Sequence, residues 1–244
     1  MAAVLDDLLA SLTVDAPVRS VLIGAHWTVV CSRHCGMAAT LTSSGPHGHT
    51  QIRDVGRLHL KSARELAELS TSAEPMEASL GVAAINSLLE IDQAGAQEVN
   101  ASDVLVERGR GRNVALIGHF RFIPQLREAA RQLWVLEQQP EADEYPAEAA
   151  ADLLPQADLV AITGSTVVNH TLDGLLALCA PQTTVMLLGP STPLSPILFE
   201  HGVDILSGTL VTDEAAVLRT VSQGAGFRQV EGVKLLTFFR AAES

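Results

Sequence analysis

Five runs of branched apolar residues crowd the second half of the chain, and each breaks into small polar residues. They are VALIGHF (Val114 to Phe120), LWVLEQQP (Leu133 to Pro140), ADLVAITGST (Ala157 to Thr166), TTVMLLGPST (Thr183 to Thr192) and GVDILSGT (Gly202 to Thr209). Near-continuous Val, Ile and Leu leaves no polar face, so such strands are buried on both sides, as in a parallel sheet covered by helices. Ligands of open sheets of this kind sit beyond the carboxyl ends of the strands. Here those ends carry Gly, Ser, Thr, His and Glu, which predicts a pocket along that edge.

Helical segments near 123–132, 168–178, 194–201 and 213–223 alternate with these strands, the pattern of a doubly wound, mostly parallel α/β sheet. The earlier part of the chain reads differently. VLDDLLASL (Val4 to Leu12) has helical spacing and is followed by one strand-like run, Ser20 to Ser32. A turn-rich stretch, Thr42 to Thr50, leads through Val55 to Leu60 into two helices. The first opens on Ser62 with Glu65 three residues on, a capping-box spacing. The second opens on Pro75, a residue suited to a first helical turn. Strands followed by helices predict an α+β unit. The segment RGRGRN (Arg108 to Asn113) is the expected boundary, giving units of residues 1–108 and 109–244.

Composition limits the classes of partner. With 244 residues, 47% hydrophobic and 18% charged, the chain can bury one large core or two small ones. No apolar stretch approaches the ~18 to 20 residues of a membrane helix. The opening MAAVLDDLLASL has two acids and no basic region, unlike a secretory signal. Three cysteines are too few for a disulfide framework, so reduced thiols in the cytoplasm are the expectation. A net charge of −12 repels phosphate backbones and argues against a nucleic-acid partner. Between Arg131 and Arg219 there is no Lys or Arg, while twelve Asp and Glu fall in that span. That predicts a neutral or cationic ligand (a sulfonium, an amine, a metal ion) in preference to a polyphosphate.

The strings NVALIGHF, LPQADLVAITGSTVVNHTLDGLL and VMLLGPSTPLSPILFEHGVDILSGTLVTD resemble the family called domain of unknown function 364, the putative heavy-metal chelation family. GRLHLKSARELAEL and SLGVAAINSLL resemble its companion domain, whose fold is similar to the N-terminal domain of enolase. The resemblance spans nearly the whole chain. It implies an enolase-N-like α+β domain, then a Rossmann-like domain similar to methyltransferases, with a pocket between them.

Several residues are candidates for that pocket. Gly118, His119 and Phe120 follow the first strand, where dinucleotide binders place a glycine-rich turn, although the G-x-G-x-x-G fingerprint and the P-loop are both absent. Glu137 ends the second strand 19 residues after Gly118, the position of an acid that grips a ribose diol. Thr163, Gly164, Ser165 and Thr166 sit at a strand-to-helix junction, open to helix capping or to a carboxylate cradle. Gly189, Pro190, Ser191 and Thr192 repeat the arrangement, stiffened by proline. Asn169 follows within a turn. His119 is the acid–base candidate, because imidazole as a side-chain type changes charge near neutral pH.

Asn86 lies polar among apolar neighbours, either bridging to backbone or reaching between the domains. Arg33 and His34 are candidates for reaching across to the second domain's pocket. Five of the eight histidines fall between His26 and His59 beside Cys31 and Cys35. Imidazole and thiolate suit Zn, Cu or Ni, so Cys31, Cys35, His34, His47 and His49 are candidate metal ligands, without a zinc-finger spacing.

The leading expectation is a cytoplasmic small-molecule protein handling a metal-chelating compound or its precursor between the two domains, whether by catalysis or by binding alone. A transferase using S-adenosylmethionine or a related nucleoside is the first alternative. A metal carrier using the N-terminal His and Cys residues is the second. A homo-oligomer is compatible with each.

Overall fold

The computed structural model describes residues 3–42 and 51–241. Helix α1 (Ala3–Ser11) precedes a three-stranded antiparallel sheet of β1 (Ser20–Ile23), β2 (Trp27–Cys31) and β3 (Cys35–Ala39). The expected single strand from Ser20 is therefore a hairpin. Gly24, Ala25 and His26 turn the chain, with Gly24 N donating to Trp27 O at 2.9 Å. Helices α2 (Ala63–Ala67) and α3 (Pro75–Leu88) follow. The capping box is present in full: Ser62 Oγ accepts from Glu65 N and the Glu65 carboxylate accepts from Ser62 N. Pro75 occupies the first turn of α3, where its missing N–H costs nothing.

The remainder alternates. Its elements are α4 (Ala101–Gly109), β4 (Asn113–Ile117), α5 (Ile123–Ala129), β5 (Gln132–Glu137), β6 (Tyr145–Pro146), α6 (Ala150–Leu153), β7 (Leu159–Thr163), α7 (Ser165–Val168), α8 (Leu172–Leu178), β8 (Thr184–Leu188), α9 (Ile197–Glu200), β9 (Ile205–Val211), α10 (Glu214–Ser222) and β10 (Val233–Phe239). The seven strands run in the order β10-β9-β8-β7-β4-β5-β6, parallel except for the β9–β10 pair. The order reverses direction between β4 and β7, which opens a crevice above their carboxyl ends. Two edge strands, β6 and β10, and the helix α4 across the expected boundary have no counterpart in the sequence reading. VKLLTFF lacks the small polar ending that marks the other strands, because β10 runs antiparallel and its carboxyl end lies at the opposite edge.

Successive strand residues point to opposite faces, and the two faces are buried differently. Val114, Leu116, Val135, Leu159 and Ala161 pack on Leu105 of α4 and Leu126 of α5. Ala115, Leu136, Val160, Ile162 and Leu187 belong to a larger core that continues through Leu8 of α1, Leu66 of α2 and Leu80 and Ile85 of α3. One apolar cluster thus spans residues on both sides of position 108. The small sheet is covered twice: Val30 and Ala38 face the α3 core, while Val29 and Met37 pack on Val217 and Val221 of α10. No helix among the described residues is long and apolar enough to cross a membrane.

Glu77 of α3 is buried at 3% exposure yet ionised, because it is fully paired. Arg53 donates through Nε, Nη2 and its backbone N, and Ser72 donates Oγ at 2.7 Å. The guanidinium bonds outweigh burial and hold the carboxyl at about 2, against a usual 4.5. A depressed folded-state pKa gives stability that is present above the unfolded value and lost as pH falls through the folded one. Acid should therefore remove about 2 to 3 kcal/mol between pH ~4.5 and ~2 in the wild type. The Glu77→Gln protein should lose less over that window, as read from denaturant unfolding at each pH. Parallel curves would refute the pairing.

Candidate functional site

A cleft of about 2370 Å³ runs along the carboxyl edge of the large sheet. That exceeds the roughly 300 to 1,000 Å³ of an ordinary small-molecule pocket, so a ligand would occupy only part of it. The ends of β4, β5, β7, β8 and β9 form one wall. Trp27, Ala39 to Thr42, Ser72, Ala73 and Pro75, from the N-terminal half, form the other.

Local backbone chemistry places the wall. Gly118 and Gly189 leave β4 and β8 at φ +110° and +109°, a conformation side-chain-bearing residues rarely adopt. Their N–H groups still donate to the neighbouring strands, to Leu136 O and Ser207 O. Gly164 is glycine for a different reason: a Cβ there would lie 2.6 Å from Thr192 N and Oγ1. The loops after β7 and β8 therefore touch. Within the first, Thr166 Oγ1 donates to Thr163 O at 2.7 Å, and Thr163 Oγ1 and Ser165 Oγ share a hydrogen bond at 3.1 Å. Asn169 lines the cleft, but its Oδ1 already accepts from Thr171 N and Oγ1. Glu137 lines it half-buried, with Oε2 accepting from Gln138 N.

His119 pairs with Glu144, Nδ1 to Oε1 at 2.7 Å. Backbone donation from Glu141, then the His119 contact, hold the Glu144 carboxyl below its usual range. A carboxylate only accepts, so Nδ1 carries the proton and Nε2 is the ring nitrogen left to exchange one with a ligand. Glu144 was absent from the sequence reading. Its only signal is an acid in the loop between β5 and β6.

The aromatic side chains also concentrate here. Of six Phe, two Trp and one Tyr, four line the cleft: Trp27, Phe120, Phe122 and Phe227. Phe120 and Phe122 stack at 5.1 Å, and Trp27 meets Phe227 edge-on at 5.6 Å. Among the described residues, buried Trp27 Nε1 and Thr209 Oγ1 have no hydrogen-bond partner, although buried polar groups are rarely left so. Both residues line the cleft, with these two atoms turned away from its open space.

Three sequence expectations need correction. The pocket is not without cations: Arg110, Arg121 and Arg228 line it beside Asp103, Glu107, Glu137 and Glu148. They come from outside the cation-free span and are brought in by the fold. Arg33 and His34 do not line the cleft; both sit in the β2–β3 turn, where they meet Glu90. Cys31 and Cys35 are joined by a disulfide, so in that form they offer no thiolate to a metal. Cys179, the free thiol, is pushed up to about 11 by burial, which suits packing and not nucleophilic attack. His47 and His49 lie outside the described residues.

Asn86 and Ser191 join the two halves of the chain. Asn86 Nδ2 donates to Met37 O at 2.9 Å and to Ser191 O at 3.4 Å. Ser191 Oγ accepts from Ala39 N at 2.8 Å, and the side chain is 2% exposed. The Ser191 hydroxyl is therefore part of the fold as well as of the cleft wall. Ser191→Ala orphans a backbone donor and should cost about 1 to 3 kcal/mol, or roughly 2 to 10 °C in melting temperature. Ser165→Ala should change it by less than ~2 °C. Equal shifts in a thermal melt would overturn the assignment.

A mixed α/β protein with a large mostly parallel sheet, a small antiparallel sheet and a cleft at the strand ends is the class so defined. The chain belongs to the DUF364 family, described as "Putative heavy-metal chelation", which it matches over residues 100–239. Residues 5–89 match the DUF4213 family, which carries the same description. A DUF364-family protein of unknown function from Desulfitobacterium hafniense has a crystal structure with TM-score 0.82 and 28% identity, covering 97% of both chains. A second, from Pyrococcus horikoshii, has TM-score 0.82 at 22% identity over 97% of this chain and 98% of that one, a likeness of fold. An uncharacterized protein of Methanocaldococcus jannaschii is 27% identical over 191 residues, 73% of this chain and 70% of the relative.

Proposed function

We propose that the protein binds, and through His119 exchanges protons with, a small planar compound bearing hydroxyl or carboxyl groups, a metal chelator or its precursor. The ligand would lie between residues 1–108, read as an enolase-N-like unit, and residues 109–244, read as a Rossmann-like unit. The observation that carries this is the convergence of four aromatic side chains, mixed Arg and carboxylate groups and the His119–Glu144 pair on one cleft. Aromatic rings hold a planar body, and mixed Arg and carboxylate groups hold polar substituents without favouring a polyphosphate.

A nucleoside such as S-adenosylmethionine is the second reading. It is favoured by Glu137 at the end of β5, beside the Gly118 turn and the point where the strand order reverses. Thermal shift against 2,3-dihydroxybenzoate, citrate, adenosine, S-adenosylmethionine, NADPH and ATP separates the readings. A ligand at 100 times its dissociation constant stabilises the fold by ~2.7 kcal/mol. Stabilisation by the aromatic chelator is the expected result. Stabilisation by the nucleosides alone favours the second reading, and stabilisation by ATP and NADPH alone defeats both.

A further inference from the structure

We propose that Cys31, Cys35 and Glu214 form a redox-gated site for a thiophilic divalent cation, separate from the cleft. β2 and β3 pair antiparallel with Cys31 directly opposite Cys35, so both sulfurs leave the sheet on one face. That face meets α10, whose first residue is Glu214. Donor atoms of the three residues lie within 4.8 Å of one another, the single such group among the described residues. A tetrahedral ion bound at about 2.3 Å to sulfur and 2.0 Å to oxygen needs ligand atoms about 3.5 to 3.8 Å apart. Small rotations of two cysteines and one carboxylate supply that. Two thiolates and a carboxylate match the soft and borderline ions Zn(II) and Cd(II), with solvent as the fourth ligand.

Surroundings support an ion there. Cys31 is fully buried, while Glu214 is partly exposed and leaves a path for entry. Val217 and Val221 make an apolar wall on the side of α10. Arg19 Nη2 pairs with Glu214 Oε2 at 2.5 Å, so its charge balances the residual −1 of a dication held by three anions. The same pair orients the carboxylate, as supporting partners do at metal sites.

The disulfide is the other state of the site. With the ion bound, a low-molecular-weight disulfide accepts two electrons from the two thiolates. The Cys31–Cys35 S–S bond forms, the small disulfide's S–S bond breaks, two small thiolates leave, and the dication is released. Reduction by a dithiol or phosphine reverses the sulfur chemistry and restores the site.

The test uses the full chain, reduced with a phosphine and stripped of metal, then titrated with Cd(II) while the thiolate-to-metal ultraviolet band is recorded. One equivalent should bind to the reduced wild type and none to the oxidised protein, and oxidised glutathione should release it. Cys179→Ser should bind as wild type does. Glu214→Gln should bind roughly 10- to 100-fold more weakly, the range seen even for supporting partners. Cys31→Ser with Cys35→Ser should not bind. If that variant fails to fold, the reduced and oxidised wild type, identical in sequence, decide the matter. Equal binding by the two redox forms, no binding to the reduced form, or an unchanged Glu214→Gln affinity overturns the proposal. None of these outcomes bears on the cleft ligand.

Discussion

Gly81→Ala should unfold the protein at temperatures where the wild type is intact. A methyl carbon at position 81 would sit 1.9 Å from Ser70 N and 2.4 Å from its Cα. Neither neighbour is a side chain that can rotate away. Helix α3 lies directly on the backbone of the preceding segment, and Ser70 O is itself held by His170 Nε2 at 2.6 Å. Gly36 makes the matching contact on the other side of α3, where a Cβ would lie 2.2 Å from Ala83 O. Overpacking a core commonly costs 1 to 3 kcal/mol, and backbone against backbone belongs at or above the top of that range, about 3 kcal/mol or more. Against a total stability of roughly 5 to 15 kcal/mol, either substitution removes a large fraction. Gly174→Ala in α8 is the control: nothing lies within 4 Å of its Cβ, so helix propensity should make it neutral or stabilising by up to ~1 kcal/mol. Urea unfolding of the three variants checks the ranking. A Gly81→Ala midpoint close to that of Gly174→Ala would mean that α3 can shift freely.

The second large effect is on the cleft. Phe120→Ala and His119→Ala should each weaken 2,3-dihydroxybenzoate by about 1 to 3 kcal/mol, or roughly five- to 150-fold. Phe120 supplies a stacking face and His119 a ring nitrogen positioned by Glu144. Glu137→Ala should do the same to adenosine, because a diol loses its charged acceptor. Each change is at a loop or strand end, and the melting temperature of the free protein should hold within a few degrees. Calorimetric titration reads the affinities. A dihydroxybenzoate affinity within twofold of wild type in both variants would remove the chelator reading; an unchanged adenosine affinity in Glu137→Ala would remove the nucleoside one.

Features that depend on near neighbours were legible in the sequence. The buried strands β4, β5, β7, β8 and β9 announce themselves because a strand covered on both faces must be apolar at every position. The cap at Ser62, the start of α3 at Pro75 and the glycine turns at Gly118 and Gly189 follow from chemistry within a few residues. The edge strand β10 went unread because an antiparallel edge lacks that signature, and the β1–β2 hairpin because Gly24 alone is a weak turn signal.

What the tertiary structure alone decided is which distant residues meet. Glu144 reaches His119 across 25 residues, Ala39 reaches Ser191 across 152, and Arg19 reaches Glu214 across 195. Three arginines from outside the cation-free span enter the cleft, and Glu214 arrives beside Cys31 and Cys35. Strand order and the packing of α3 and α10 on the small sheet set these meetings. Periodicity reports which face of an element is buried, not which partner covers it. The sequence therefore determined the doubly buried strands and the polar edge where they end, while the side chains that meet along that edge were settled by long-range packing.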